Sequence, residues 1–383
     1  MVCGEPSGDI HAAELVREAR QLIDIEVVAA GGPALRDAGA DVRWTSVDWG
    51  AIGPTQALAK LPLYWHVMRE LLQEAITGNY DLVVLVDFGA FNTRLAERIR
   101  RRAPGLRIFY YFPPSSWARA KRRWDRLLSL TDYIATPFSW NAAALAAQGA
   151  SVRWVGHPAV DRITSVPREE ARAALQLNEG DRALALLPGS RRLERRLLGG
   201  VFVQAAKLAK QRLEDLVVLW SPPPGGQDAP ELQAHLRELK AVEIRDTAVL
   251  LRAADTALAC FGTVTLEAAL AGCPLVAAYR GTLAMRVVFR FMHVDTRYYA
   301  MPNIVLQQAV VPELIGSGAT PERLASECVK LLTDEAARQT MLAGYAEVRR
   351  ALGPPGASRR AAEMLVEALE GTLRPHRPWV DAS

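Results

Sequence analysis

Apolar, β-branched runs alternate with helix-patterned stretches along this chain, and the pattern occurs twice. Residues 25–30, 82–86, 108–112, 133–135 and 152–155 read as buried strands of a first sheet. Residues 183–187, 217–220, 242–244, 256–260 and 275–278 read as a second set. Helical stretches at 63–75, 201–211, 266–270 and 321–332 lie between strands. Strands linked through helices run parallel, with both faces covered, and such strands are apolar at almost every position. With 383 residues the chain exceeds one ordinary core. The expectation is an α/β protein with two Rossmann-like domains facing a cleft.

Prolines place the boundary. Gly156-His157-Pro158 closes the first strand set, Pro167 interrupts regular structure again, and a new helix starts near Arg168. The first domain is expected over 1–160 and the second over 168–352. Gly353-Pro354-Pro355-Gly356 then breaks the last helical region. The tail, 357–383, carries a separate helix at 358–373 that is expected to pack back on the first domain. At the other end, Met1-Val2-Cys3 is only a stub of the strand that should precede the Gly4 turn. Either that strand is very short, or the recorded start lies downstream of the real one.

Composition excludes some partners. A net charge of +4, with no aromatic–basic motif, is too mild to argue for nucleic acid. Cys3, Cys260, Cys273 and Cys328 lie far apart without metal-ligand spacing, as expected of reduced thiols in a cytosolic protein. No apolar run approaches the ~18–20 residues that span a bilayer.

The second domain carries two turns suited to a nucleotide. Pro188-Gly189-Ser190-Arg191 follows the strand 183–187, so Ser190 and Arg191 stand at a strand's carboxyl end, where parallel sheets bind ligands. A Gly-Ser turn admits an anion to backbone N–H groups, and Arg adds a planar fork of donors. The bland reading is a strand–loop–helix connection with a surface Arg. Gly262-Thr263-Val264-Thr265-Leu266-Glu267 follows the strand 256–260. Thr263 or Thr265 is placed to cap the next helix, and Glu267 either accepts from a ribose diol or completes a capping box.

The first domain opens on Gly4-Glu5-Pro6-Ser7-Gly8-Asp9-Ile10-His11, an acidic glycine turn that suits sugar hydroxyls better than a diphosphate. Its competing role is a helix cap made by Ser7 or Asp9. Asp87 ends the strand 82–86, either as a general base or as a structural acceptor for turn N–H groups. His157 is a substrate contact or a hinge support. No Asp-x-Asp pair occurs, which argues against a metal clamp on a diphosphate and leaves Arg191, Arg280 and helix termini to stabilise leaving-group charge.

Taken in order, these motifs resemble the lipid-A-disaccharide synthase family, inverting glycosyltransferases of the GT-B type. The likeness covers nearly the whole chain: Gly4 to Asp9, Gly32-Pro33, Asp87 with Phe91-Asn92, Tyr111 through Trp117, Gly156-His157-Pro158, Leu186 to Arg191 with Glu194, Gly262-Thr263 with Glu267, Tyr279-Arg280, Pro302-Asn303 and Pro312-Glu313-Leu314. The resemblance implies transfer of a diacylglucosamine from UDP-2,3-diacylglucosamine to 2,3-diacylglucosamine 1-phosphate, giving a β-1,6-linked disaccharide and UDP. It assigns the base to Asp87 and an activity-bearing cation to Arg191. It places Ser190, Glu194, Gly262, Thr263, Glu267, Arg280 and Asn303 on the nucleotide-sugar side. Glu5, Ser7, Gly8, Asp9, Asn92 and His157 fall on the acceptor side. It implies no metal and no cofactor.

The sequence departs from the family pattern in places. Ala90 stands where a second Asp is common, Phe261 where a Ser precedes Gly-Thr, Arg119 where an aromatic follows Trp117, and Gln307-Gln308-Ala309 where Gly-Arg-Glu is expected. Competing readings are another UDP-sugar transferase or epimerase of this architecture, and a non-catalytic glycolipid or nucleotide-sugar binder. The partners expected are UDP-diacylglucosamine, an acylated glucosamine phosphate, the inner face of the cytoplasmic membrane as a peripheral surface and, as one option, a second copy in a homodimer. Residues 49–72, with Trp49, Ile52, Leu58, Leu61, Leu63, Tyr64 and Trp65, are the first candidates for lipid contact, and residues 285–292 the second. The alternative for either is a buried amphipathic helix.

Overall fold

The structure, a computed structural model, describes residues 1–46, 49, 61–113, 124–164, 166–223, 226, 228–281 and 297–377. Among them, β1 (Val2–Cys3), β2 (Val28–Gly31), β3 (Asp41–Thr45), β4 (Leu82–Val86), β5 (Arg107–Tyr111), β6 (Tyr133–Thr136) and β7 (Val152–Trp154) form one parallel sheet, ordered β3-β2-β1-β4-β5-β6-β7. A second parallel sheet holds β8 (Arg182–Leu187), β9 (Leu216–Trp220), β10 (Val242–Glu243), β11 (Thr256–Cys260), β12 (Leu275–Tyr279) and β13 (Glu313–Ile315), ordered β10-β9-β8-β11-β12-β13.

The chain divides into two compact units. One takes Met1–Pro158 with Leu352–Ser383, the other Ala159–Ala351. The first unit carries α1 (Pro6–Arg20), α2 (Pro33–Asp37), α3 (Leu61–Thr77), α4 (Gly89–Arg102), α5 (Trp124–Leu130) and α6 (Ser139–Ala146). The second carries α7 (Ala159–Thr164), α8 (Arg168–Ala174), α9 (Arg192–Lys210), α10 (Pro230–Glu238), α11 (Thr247–Ala253), α12 (Thr263–Ala271), α13 (Met301–Leu306), α14 (Pro321–Thr333) and α15 (Glu335–Leu352). The chain then returns to the first unit in α16 (Ala357–Leu369), which packs along α1.

Burial on both faces explains the apolar strands. One face of the first sheet packs Phe109 and Tyr111 against Leu15 and Val16 of α1 and Met364 and Leu365 of α16. The other packs Leu85, Tyr110 and Ile134 against Leu71 of α3 and Leu95 and Ile99 of α4. A charged pair also sits in this unit: Arg100 and Asp132 meet with both side chains nearly buried, and Asp132 also accepts from the Ile108 N–H at 2.7 Å.

Strand order fixes where ligands can enter. In the first sheet the chain leaves β1 toward β2 and β3, then crosses to β4 on β1's other side. In the second it leaves β8 toward β9 and β10, then crosses to β11. At each reversal the loops leaving neighbouring strand ends diverge to opposite faces, and the gap between them is a topological switch point.

Several elements differ from the sequence reading. β2 starts at Val28 rather than residue 25, because its pairing with β3 starts there, Val28 opposite Asp41. β3 escapes the apolar pattern because it is an edge strand whose residues alternate between exposed and half-buried. α9 starts at Arg192, nine residues ahead of the expected 201, where the Glu194 side chain accepts from the Arg191 backbone N–H. Trp49 is buried, as are Val67, Met68, Leu71 and Leu72 of α3, so these belong to the core and not to a lipid-facing patch. Leu63 and Trp65 of α3 do face solvent. Ile52, Leu58, Trp117, Arg119 and residues 285–292 lie outside the described residues.

Candidate active site at two sheet switch points

Asp87 stands at the first switch point, where β4 ends beside β1. Its φ is +47° and that of Phe88 is +51°, two consecutive non-glycine residues in the left-handed region. Each such residue costs about 1–2 kcal/mol, so the surroundings must impose the turn. They do so through hydrogen bonds. The Asp87 N–H donates to the Tyr111 carbonyl at 3.0 Å. The Asp87 carbonyl accepts from the Tyr110 hydroxyl and from Asn92 Nδ2, each at 2.9 Å. The Phe88 carbonyl accepts from the Asn92 N–H at 3.0 Å. Asn92 is thus a fastener of the Asp87 turn; it is fully buried, and Nδ2 also donates to Val2 and Val86 carbonyls at 3.3 Å.

The glycine turn after β1 closes against this residue. A Cβ on Gly4 would collide with the Phe88 ring, and one on Gly8 would lie 3.7 Å from the Asp87 Cβ. α1 therefore starts with its small face toward Asp87. Electrostatics agree with that proximity: burial, and after it the Asp87 charge, pushes the Tyr110 phenol well above its ordinary range. Cys3 is raised too, by burial first, then by Asp9 and Asp87.

Asp9 does not cap its own helix, and neither does Ser7, for the N-cap is Glu5 without a side-chain bond. Both Asp9 oxygens turn away, accepting from the N–H groups of Gly32, Ala34 and Leu35 at 2.7, 2.9 and 3.2 Å. Asp9 is buried, so it ties the Gly32 turn and α2 to α1. Glu5 and Ser7 remain half-exposed on the turn.

Two histidines flank the same end of the sheet. His11, one turn beyond Gly8, stacks on Phe112 with ring centroids 4.6 Å apart and planes within 2°. His157 meets His11 edge-on at 5.8 Å and Phe112 at 5.3 Å. Phe112, just past β5, has φ +57°. The loop bearing His157 is held by Arg360 of α16, which donates to the carbonyls of Val155, Pro355 and Pro354 at 2.9, 2.7 and 2.8 Å.

The second unit repeats the pattern with opposite charge. β8 and β11 are neighbours, so Ser190-Arg191 and Gly262-Thr263 flank one switch point. Gly189 has φ +107°, and a Cβ there would meet the Glu194 side chain. Glu194 is buried and accepts from the Arg191 backbone N–H at 3.3 Å and from Arg191 Nη1 at 3.2 Å. After burial, Glu194 is a cause raising the Cys260 thiol at the end of β11 and pushing the Tyr279 phenol at the end of β12 to about 12, while Arg191 pulls both back. Ser190, Gly262 and Thr263 are exposed. Gly262, φ +146°, is itself the N-cap of α12, so neither threonine caps the helix; Thr265 instead donates to the Gly262 carbonyl and accepts from the Met301 N–H.

The other residues expected on the nucleotide side have partners within the unit. Glu267 forms no capping box; it pairs with Arg162 of α7. Asn303 is buried, accepting from the N–H groups of Val310 and Val311 and donating to Glu313 and the Val311 carbonyl. Arg280 donates to the Ala319 carbonyl at 3.1 Å and, with Arg196, lines a hollow of about 600 Å³. Phe261 lies in a parallel ring stack, 6.0 Å from Tyr279 and 5.7 Å from Tyr299. Gln307 ends α13 with φ +56°, a conformation glycine adopts without strain.

Sequence reasoning missed Arg195. Its guanidinium donates to both Asp228 oxygens at 2.8 and 2.7 Å, to the Gly189 carbonyl at 3.0 Å and to the Ser221 carbonyl at 2.9 Å, and lies 5.1 Å from the Trp220 ring centre. It binds the Gly189 turn to the loop after β9. The signal was available: Arg195 falls three and seven positions before the apolar Leu198 and Phe202, on the buried face of a helix.

Comparison with known proteins places this architecture. The chain aligns with the solved structure of a putative UDP-N-acetylglucosamine 2-epimerase from Listeria monocytogenes over 99% of its length and 98% of that chain, with TM-score 0.65 and 14% identity. The "S. aureus MnaA-UDP co-structure" gives TM-score 0.63 at 14% identity, covering 97% of this chain and 95% of that one. At such identity these show the fold alone, the two-Rossmann GT-B class. Sequence comparison is sharper. The family description "Lipid-A-disaccharide synthetase" matches residues 1–367. The lipid-A-disaccharide synthase of Prochlorococcus marinus (strain MIT 9313) is 35% identical over 95% of this chain and 97% of that protein. That of Geobacter sulfurreducens is 34% identical over 96% of each. The chain belongs to the lipid-A-disaccharide synthase family and is a glycosyltransferase.

The Arg195 clamp yields a test. Asp228→Ala strands a buried guanidinium and should lower stability by about 3–5 kcal/mol, read by denaturant unfolding. A loss below about 1 kcal/mol, the range of exposed pairs, would show that the clamp does not hold the turn.

Proposed function

We propose that the first unit binds 2,3-diacylglucosamine 1-phosphate and the second UDP-2,3-diacylglucosamine, and that the enzyme joins the two sugars through a β-1,6 bond. Asp87 takes the proton from the acceptor hydroxyl as its oxygen attacks C1 of the donor sugar from the face opposite UDP. The C1–O bond to the diphosphate breaks, UDP leaves, and the anomeric centre inverts. Arg191 and the amino end of α9 face the charge that develops on the diphosphate. The observation that carries this reading is the Asp87 turn: two left-handed residues, held by hydrogen bonds at a switch point. Strain of this kind persists where function needs a fixed geometry.

Asp87→Asn preserves shape but accepts no proton. Turnover of the acylated substrates should fall by roughly 10²–10⁴, with UDP binding by calorimetry unchanged. Near-normal turnover would remove Asp87 from this role. Arg191→Ala should weaken UDP binding by about 1.5–3 kcal/mol, typical of a hydrogen bond to a charged group. Unchanged affinity would move the diphosphate away from the β8 turn.

Diacylated substrates also require lipid contact. No helix among the described residues is long and apolar enough to cross a membrane. We infer that the first turns of α3 touch the inner face of the cytoplasmic membrane. Leu63 is 40% and Trp65 62% exposed there, in the same unit as Asp87, with Arg69 exposed one turn on. Exposed apolar side chains beside a cation suit an anionic lipid surface. Leu63→Ser with Trp65→Ser should reduce sedimentation with anionic liposomes while stability stays within about 0.5 kcal/mol, as for surface changes. Undiminished liposome binding would refute the assignment.

A further inference from the structure

In the second unit the hollow of about 600 Å³ lies between α9 and the turns that follow β12 and β13. Ser190, Arg191, Gly262 and Thr263, the residues at the β8–β11 switch point, do not line it. It is a separate space from that gap. From α9 it takes Arg196, Gly200 and Gln204, spaced four apart and so on one helix face, with Leu197 and Val201 beside them. The turn after β12 supplies Arg280, and the turn after β13 supplies Gly316 and Ser317.

Two guanidinium groups border this space, and among the described residues no carboxylate does. Arg196 makes no hydrogen bond or ion pair among the described residues. Arg280 uses Nε on the Ala319 carbonyl at 3.1 Å, and its Nη groups find no partner among the described residues. Arg168, Arg191 and Arg195 of the same unit, by contrast, each meet a carboxylate. A concave surface lined by one sign of charge concentrates its field and draws counter-ions. The hollow also has room. Glycine inside a helix weakens it relative to alanine, yet a Cβ on Gly200 would meet no atom within 4 Å. The same holds for Gly316, whose φ is +61°. No neighbour demands glycine at 200; the missing side chain leaves open space. Leu197 and Val201 give the hollow an apolar part, and Ile315, just before Gly316, is 45% exposed.

We propose that this hollow binds a phosphate ester, at a site apart from the one that takes UDP. Each guanidinium is a planar fork that can give two parallel N–H···O bonds to phosphate oxygens, and the Ser317 hydroxyl adds a donor. The carbon side of the ester lies on Leu197 and Val201. Two sources carry this chemistry. One is the head group of an anionic membrane lipid, with its acyl chains continuing over Ile315. The other is a soluble phosphate ester.

The test is calorimetry on the full chain, with saturating UDP present throughout to keep the β8–β11 gap filled. The probes are glycerol 3-phosphate and dihexanoyl phosphatidic acid below its micellar concentration, which differ only in the acyl chains. Binding should be seen and should weaken as salt is raised. Equal affinity for the two probes assigns the site to a soluble phosphate ester, and lipid binding at least about tenfold tighter assigns it to a head group. Arg196→Gln should weaken the bound probe about tenfold, as when a bond to a charged group is lost. Gly200→Glu sets a carboxylate in the hollow and should weaken it at least as much, whereas Gly200→Gln, of the same shape without the charge, should weaken it less. Neither position holds a contact in the fold, so melting temperature and UDP affinity should stay as they are in all three variants. Failure of both probes to bind beside UDP would overturn the proposal. So would undiminished affinity in Arg196→Gln, or equal affinity in the glutamate and glutamine forms, which would show that charge does not govern the site.

Discussion

A strand in the middle of a parallel sheet has covered faces and paired edges, so only its two ends reach solvent. In each unit here the chain enters the sheet at such a strand and leaves in both directions, β1 toward β2 and β4, β8 toward β9 and β11. The loops at those reversals cannot close over one another. Each unit thereby acquires one gap whose floor is backbone, and the residues that first turn away from the sheet line it. Asp87 and the Gly4 turn occupy the first gap, Arg191 and the Gly262 turn the second.

The two gaps are built from opposite electrostatics. In the first, carboxylates gather at Glu5, Asp9 and Asp87, and Asp9 is quieted by three backbone donors. In the second, the buried Glu194 is answered by Arg191, and Arg195 has donors committed to Asp228 and two carbonyls. Solvent separates these arginines: Arg195 is buried, while Arg191, paired with Glu194, keeps over a third of its side chain in water.

The alternation of strands and helices was legible because burial on both faces leaves an unmistakable apolar run, as at Leu82–Val86 and Thr256–Cys260. Elements without that burial, such as the edge strand β3, left no such trace. The strand-end residues were legible too, since Asp87 and Ser190-Arg191 follow directly from strand limits. What could not be read was which polar side chains were already engaged. Asp9 closes on Gly32, 23 residues on, and Arg195 on Asp228, 33 residues on. Local sequence carries no record of such partners. The caps misled for a related reason: at the start of α9 the Glu194 side chain accepts from the Arg191 backbone N–H, and Thr263, an ordinary capping type, does not cap α12.

The Asp87–Phe88 turn sets two forms of selection against each other. Phe88 holds a left-handed backbone while its ring packs near Trp49, Tyr64 and Phe91 and fills the space that Gly4 leaves by having no side chain. Glycine at 88 would relax the backbone and release the ring; alanine at 4 would evict the ring and keep the backbone. Neither position can drift alone, so the pair should change together in descendants of this sequence or remain as it is. A library screened only for thermal tolerance would favour relief of the turn, and would discard the carboxylate's aim without registering the loss.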